Sequence, residues 1–308
     1  MAMFNKKWCA SQRISVLGRR AVRTVLGRCG LVLLLVPSGL LGAAAGNQLE
    51  KTIQCIPTPR ISISNPPGGV VVVRGWDKSE VHAVCLPATP KVTIDCDQVP
   101  ARGDAEKVRF TTQVLDTQAG SQEKTVNYEI DIPSGASLEI YNPSGSVTVE
   151  RVSGDDGVES VSGSVSVRDG AGHTSVTSLS GAIELIRPTG RVEATSITGD
   201  LRFTASESAN VHAQTTSGAI FFDGDFVPLG EYVLSSYGGN MDVACPTSDS
   251  VELRARTVRG KVNNELRLKH AQPRSPSAPG NGFGVQNQGD ATVELKSYSG
   301  TIHVHSRP

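Results

Sequence analysis

One short phrase recurs through the second half of the chain, and it restricts the fold more than any other feature. It reads "SVSGSVSV" at 160–167, "SLSGAIEL" at 178–185, "SITGDLRF" at 196–203, "TTSGAIFF" at 215–222, and "SYSGTIHV" at 297–304. Aligned on its glycine, the phrase has seven copies, anchored at Gly163, Gly181, Gly199, Gly218, Gly239, Gly260 and Gly300. The successive spacings are 18, 18, 19, 21, 21 and 40 residues, and Gly145 in "YNPSGSVTV" is a divergent copy 18 residues earlier. A period near 20 residues marks a repeat architecture in which each unit buries its apolar side only against its neighbours.

Each copy reads as strand, bend, strand. Two and four residues after the glycine stand apolar side chains: Val165/Val167, Ile183/Leu185, Leu201/Phe203, Ile220/Phe222, Met241/Val243 and Ile302/Val304. The residue between them is polar or small in most copies, so the period is two and one side is buried. Seven and five residues before the glycine a second apolar pair appears, as in Val192/Ala194 and Val211/Ala213. Three residues before it stands a hydroxyl: Ser160, Ser178, Ser196, Thr215, Ser236, Thr257 and Ser297. These share the parity of the buried side and predict an internal column, each hydroxyl bonded to its neighbour or to a carbonyl at the bend. Glycine suits the bend through positive φ and close backbone approach.

The predicted fold is therefore all-β: a parallel β-solenoid of about eight coils, roughly 40 Å long at ~4.8 Å per coil. An antiparallel sandwich of the same strands is the alternative, and the near-constant spacing and in-register hydroxyls favour the solenoid. Residues 46–141 carry less regular alternating runs and predict a β-rich section capping the first coil, whose edge would otherwise be exposed. Within it "NPPGGVVVVRGWDKSEVHAV" (65–84) shares its layout with "NPSGSVTVERVSGDDGVESV" (142–161). Residues 142–308 form the solenoid proper. Residues 270–290, rich in Pro, Gly, Ser and Asn, read as an inserted loop that accounts for the long last spacing.

Residues 1–45 hold seven basic residues and no acidic ones, then the apolar run Leu31–Leu41, then Ala43-Ala44-Ala45. Basic, apolar, small is the order of a secretory signal peptide, and about eleven apolar residues are too few to span a bilayer. Cys29 precedes the apolar run, where a lipid-anchoring cysteine would follow it. The whole chain balances 30 basic against 30 acidic residues. Without residues 1–45 the balance is 23 against 30, which argues against nucleic acid as the partner. The expected location is the periplasm, cell surface or extracellular space, with no transmembrane span in the mature chain. Four cysteines would remain, and an exported chain permits disulfides. Cys85 and Cys96 both continue inward alternations and are the favoured pair, leaving Cys55 with Cys245.

The chain resembles the bacterial "putative adhesin" DUF4097-type repeat family, related to auto-transporter adhesin head (GIN-type) domains. The likeness rests on "GVVVVRGWDKSEVHAV", "IDIPSGASLEI", "TSITGDLRF" and "LKSYSGTIHV" and covers most of residues 46–308. It implies an exported, envelope-associated β-solenoid. Only the Gly199 copy keeps an acidic residue after the glycine, as Asp200, and the Gly260 copy loses its second apolar position at Asn264.

No HExxH, GxSxG or phosphate-binding loop is present, and no residue is assigned to catalysis, a cofactor or a metal. Three groups come nearest. Asp223 and Asp225 flank Gly224 and could hold a hard cation. His303 and His305 share the outer side of the last strand. Glu184, Arg202, Asp242 and His303 occupy one outward position on successive or nearby coils, a row of the kind found in solenoid lyases. The expected function is a non-catalytic, adhesin-like module for a surface glycan or envelope protein. A glycan-cleaving enzyme on the same scaffold is the alternative. Aromatics are scarce at 5%. Trp76 is the one tryptophan after residue 45, and Tyr237 and Tyr298 at the bends read as packing residues.

Overall fold

The computed structural model describes residues 48–100, 102–269 and 281–308. The predicted signal peptide lies outside the described residues, as do residues 270–280 of the predicted loop. Among the described residues no helix is long and apolar enough to cross a membrane. The chain is all-β, and its strands are mostly parallel. The first eight are β1 (Leu49–Ser64), β2 (Val71–Trp76), β3 (Glu80–Pro87), β4 (Val92–Val99), β5 (Ala105–Val114), β6 (Val126–Pro133), β7 (Ser137–Tyr141) and β8 (Val147–Glu150). Then come β9 (Asp156–Ser160), β10 (Val165–Arg168), β11 (His173–Ser178), β12 (Ile183–Ile186), β13 (Arg191–Ser196), β14 (Leu201–Ser206), β15 (Asn210–Thr215) and β16 (Ile220–Gly224). The last seven are β17 (Glu231–Ser236), β18 (Met241–Pro246), β19 (Val251–Thr257), β20 (Val262–Asn264), β21 (Asn281–Gln286), β22 (Ala291–Ser297) and β23 (Ile302–Arg307).

These strands stack in two ladders. The chain crosses from one to the other at each glycine and returns. Strands β8, β10, β12, β14, β16 and β18 pair in parallel as one ladder. Strands β7, β9, β11, β13, β15 and β17 pair in parallel as the other. Register is kept at the apolar positions, with Ile183 opposite Leu201 and Leu201 opposite Ile220, and shifts only past Thr204 where β14 meets β16. Val147, Val165, Ile183, Leu201, Ile220, Met241 and Ile302 therefore form one buried file between the ladders. Each such side chain, removed from water, contributes about 1.5–3 kcal/mol before chain entropy is charged against it. The antiparallel sandwich is not what forms.

At each end the chain overshoots and doubles back. The strand after β18 in sequence is β19, yet β17 pairs with β22 and β18 with β23. Strands β19 and β20 lie beyond them, paired to β22 and β23 from the outer side. The Gly300 copy thus sits between the Gly239 and Gly260 copies, out of sequence order. The Gly260 copy forms the end, which explains its polar second position: Asn263 and Asn264 face solvent. The predicted loop at 270–290 is also corrected in part. Residues 281–286 are β21, antiparallel to β19, and close that ladder.

The opposite end repeats the device. The second half of β1 lies between β5 and β7, and β2 lies between β6 and β8. Strand β3 covers β6 and β4 covers β5, both antiparallel, and the first half of β1 covers β3. Antiparallel or very short edge strands blunt the open hydrogen-bonding groups of a ladder that would otherwise recruit another chain.

All four cysteines after residue 45 are free thiols. Cys55 belongs to β1 and Cys245 to β18, about six ladder steps apart at ~4.8 Å each. A disulfide needs Cα atoms within about 7 Å, so that pairing is excluded. Cys85 and Cys96 share an end but remain unbonded, on β3 in one ladder and β4 in the other.

Candidate functional site

The bends are where the repeat concentrates its chemistry. Ser178 Oγ accepts the Gly181 N–H at 2.9 Å, and Ser196 Oγ accepts the Gly199 N–H at 2.9 Å. The same bond forms at Ser160, Thr215, Ser236, Thr257 and Ser297, each to the glycine three residues on. The sequence pattern pointed to the next coil or to a carbonyl as the partner; the bond common to all seven is this amide, and Thr215 and Thr257 also donate to the Gly199 and Gly300 carbonyls of the neighbouring copies at 3.5 and 3.3 Å. Ser160 also donates to the Gly163 carbonyl at 3.0 Å. A buried hydroxyl that satisfies a buried N–H holds the turn closed at the point where the strand ladder ends.

The column extends further than the hydroxyl count suggested. Asn142 lies three residues before Gly145, and Asn65 three before Gly68, and both are fully buried. The Asn65 amide donates to Asn142 Oδ1 at 3.0 Å and to the Val126 carbonyl at 3.0 Å. Thr112 donates to Asn65 Oδ1 at 3.0 Å. The shared Asn-Pro layout of 65–84 and 142–161 was the signal: these are the first two members of the same file.

The repeat glycines are required by stacking. A Cβ placed on Gly181, Gly199, Gly218, Gly239 or Gly300 would overlap the carbonyl oxygen of the glycine one coil back. Of the eight, only Gly145 has positive φ, at +87°. Close approach, not turn geometry, is the general reason for glycine here.

Outside this tight edge stands an exposed file that the sequence reading passed over. The residue two before each glycine points to solvent: Val161 is 40% exposed, Leu179 47%, Ile197 46%, Tyr237 59% and Val258 62%. Thr216 and Tyr298 hold the same position in their copies. The residue between it and the glycine ties the edge together, as when Ser180 Oγ donates to the Val161 carbonyl at 3.1 Å. The Tyr237 and Tyr298 rings stack with centroids 4.6 Å apart and planes 6° apart, and Arg259 lies 5.1 Å above Tyr298. Tyr237 is thus exposed, and half-buried Tyr298 packs face to face against it. At ~4.8 Å per step the apolar ridge is about 30 Å long. Thr216 interrupts the file between Ile197 and Tyr237, and grouped exposed apolar side chains on either side of it mark an interaction site more often than scattered residues do.

The other sequence candidates fall elsewhere. Glu184, Arg202, Phe221, Asp242 and His303 form one outward file. Arg202 covers the Phe221 ring at 4.4 Å rather than facing a carboxylate pair. Asp223 and Asp225 are both bound by Arg307, at 2.6 Å to Asp223 Oδ1, so a guanidinium holds the place proposed for a cation. Trp76 donates its ring N–H to the Glu80 carbonyl at 2.9 Å, with Lys78 above the ring at 4.3 Å. A shallow groove of ≈ 420 Å³ on the outer face of the β13–β15–β17 ladder is lined by Arg191, Glu193, Asn210, His212, Glu231 and Val233. Burial pushes the Cys85 and Cys245 thiols up to about 12 and Cys55 up to about 11, which leaves them without thiolate character.

No family profile and no curated protein matches the chain. Among solved structures it is similar to a "putative adhesin" from Bacteroides fragilis, at 9% identity over 84% of this chain and 97% of that one, with a TM-score of 0.42. It is similar to another from Parabacteroides merdae, at 11% identity over 84% and 98%, with a TM-score of 0.40. A "putative cell adhesion protein" from Clostridium sporogenes is 9% identical over 84% and 99%, with a TM-score of 0.25. At these identities and scores the reading of function rests on the geometry of the bend edge.

Proposed function

We propose that this chain is an exported, non-catalytic β-solenoid of about eight coils that acts as an adhesin-like interaction module of the cell envelope, in the manner of the DUF4097-type family. Residues 1–45 are its signal peptide, residues 46–141 its capping section, and residues 142–308 the repeats. The observation that supports this is the largely apolar ridge along the bends, with the stacked Tyr237 and Tyr298 near its end, before Val258. Nothing in the coil interior requires those side chains to be exposed. Substituting them for polar ones would leave every glycine contact and every buried hydroxyl in place. An aromatic pair beside aliphatic side chains suits the apolar ring faces of a glycan or an apolar protein surface.

The test is a glycan array on the protein, with reducing-sugar release measured in parallel. Binding that is lost in Tyr237→Ser/Tyr298→Ser, with no sugar released, is the expected result. Sugar release that disappears on changing Arg202 or Asp242 would replace this reading with that of a glycan-cleaving enzyme.

A further inference from the structure

We propose that Asp242, His303 and His305 form a mononuclear binding site for a zinc-class divalent cation. Asp242 Oδ1 lies 3.2 Å from His303 Nδ1 and 3.1 Å from His305 Nδ1. All three donor atoms lie within 4.8 Å of one another. A tetrahedral ion with ligands at about 2.0–2.1 Å has donor–donor edges of about 3.3 Å. The two short edges are close to that length before any side chain moves.

The hydrogen bonding points the same way. Asp242 Oδ1 and His305 Nδ1 are shielded from solvent yet have no hydrogen-bond partner among the described residues. A cation between these closely spaced donor atoms would satisfy both. On the far side of the His303 ring, Nε2 lies 3.2 Å from Glu265 Oε1. A ligating histidine whose second nitrogen donates to a carboxylate is the outer-shell arrangement that orients imidazole on a metal. Two carboxylates and two imidazoles form the cluster, and among the described residues neither Asp242 nor Glu265 pairs with a lysine or arginine. The side chains are partly open, which leaves the fourth position to water. Imidazole nitrogen with one carboxylate suits zinc and its neighbours over calcium or magnesium.

The site exists because of the inverted strand order. Stacking in sequence order would set Asn263 beside Asp242; the late return of β23 sets His303 there instead. The donors and Glu265 come from β18, from β23 and from the chain leaving β20. A bound cation therefore clamps β23, the strand that is laid last, to β18, and the Glu265 contact holds His303 from the other side.

The test uses tag-free, chelator-stripped protein. Calorimetric titration with Zn²⁺ should show one saturable equivalent, and Co²⁺ should give the intense visible bands of a tetrahedral ion. His303→Ala, His305→Ala and Asp242→Ala should each weaken binding at least tenfold. Glu265→Gln should keep the stoichiometry and lose roughly tenfold in affinity. Zn²⁺ should raise the melting temperature of the parent protein and leave that of His303→Ala/His305→Ala unchanged. The proposal is overturned by uptake that is equal in the parent and this double variant, or by a parent protein that binds no stoichiometric Zn²⁺ and gives no tetrahedral Co²⁺ spectrum. The Co²⁺ result concerns the parent alone, so it stands even if a variant folds poorly.

Discussion

Replacing Asp156 with asparagine should stabilise the protein, and by an amount that depends on pH. Asp156 opens β9 with its side chain in the interior file between Leu138 and Thr174, and it is only 2% exposed. Neither carboxyl oxygen has a hydrogen-bond partner among the described residues. Burial, with a smaller contribution from the neighbouring Asp155 charge, raises its pKa from 3.8 to about 7. In the unfolded chain it ionises near its ordinary value. Below that value both states are protonated and the group costs nothing. Between about 4 and 7 the unfolded chain gains the charge and the folded chain does not. Stability then falls by about 1.4 kcal/mol per pH unit, to a total of about 4 kcal/mol, and levels off above pH 7. An asparagine side chain in this place has the same shape and no charge to bury, so the variant escapes this loss. Urea melts of both proteins at pH 4, 5, 6, 7 and 8 measure it. The two should be nearly equal at pH 4 and differ by several kcal/mol at pH 8. A difference that stays constant with pH, or a parent protein more stable than Asp156→Asn at pH 8, would refute the reasoning.

Other perturbations separate the parts of the bend. Gly199→Ala drives a Cβ into the Gly181 carbonyl and should cost about 1–3 kcal/mol. Gly157→Ala, whose Cβ would meet only the Leu138 carbonyl at 3.8 Å, should change stability by less than about 0.5 kcal/mol. Ser196→Ala leaves the Gly199 N–H buried without its acceptor and should cost about 1–3 kcal/mol in denaturant melts, while the exposed Thr198→Ala should cost far less. With thiols raised to about 12, Cys85 and Cys245 should resist a thiol reagent at pH 8 until guanidinium unfolds the chain, and half-buried Cys96 should react first. Cys85 labelling faster than Cys96 in the native protein would contradict the burial assigned here.

The inner files were legible because alternation and a fixed glycine offset leave one way to bury Ile183, Leu201 and Ile220 together. The order of the last copies was not. Every copy offers the same apolar faces above and below, so periodicity says that copies stack without saying on which neighbour. The one mark of the true order was Asn264, where a polar residue replaces the second apolar position because that coil ends the stack. Asn65 and Asn142 were missed as members of the polar column because only hydroxyls were counted, although both keep the three-residue offset from glycine. The exposed ridge at Val161, Leu179, Ile197 and Tyr237 escaped notice since apolar residues beside a bend read as packing until their exposure is known. The thiols mislead in another way: inward alternation correctly buries Cys85 but leaves Cys96 only half-buried on an outer strand, and alternation says nothing about which strand pairs with which.

Cross-linking across the β17 ladder tests the stacking order most directly. Ser235, Lys296 and Arg256 share one outward file, with Ser235 beside Lys296 and Arg256 one strand beyond. Adjacent parallel strands lie about 4.8 Å apart, within disulfide reach, whereas two steps place the Cα atoms near ~10 Å, out of reach. Under mild oxidation, Ser235→Cys/Lys296→Cys should form an intrachain disulfide detectable by mass spectrometry, and Ser235→Cys/Arg256→Cys should not. Cross-linking of the second pair in place of the first would mean that the copies stack in sequence order, and the doubled-back end described here would be wrong.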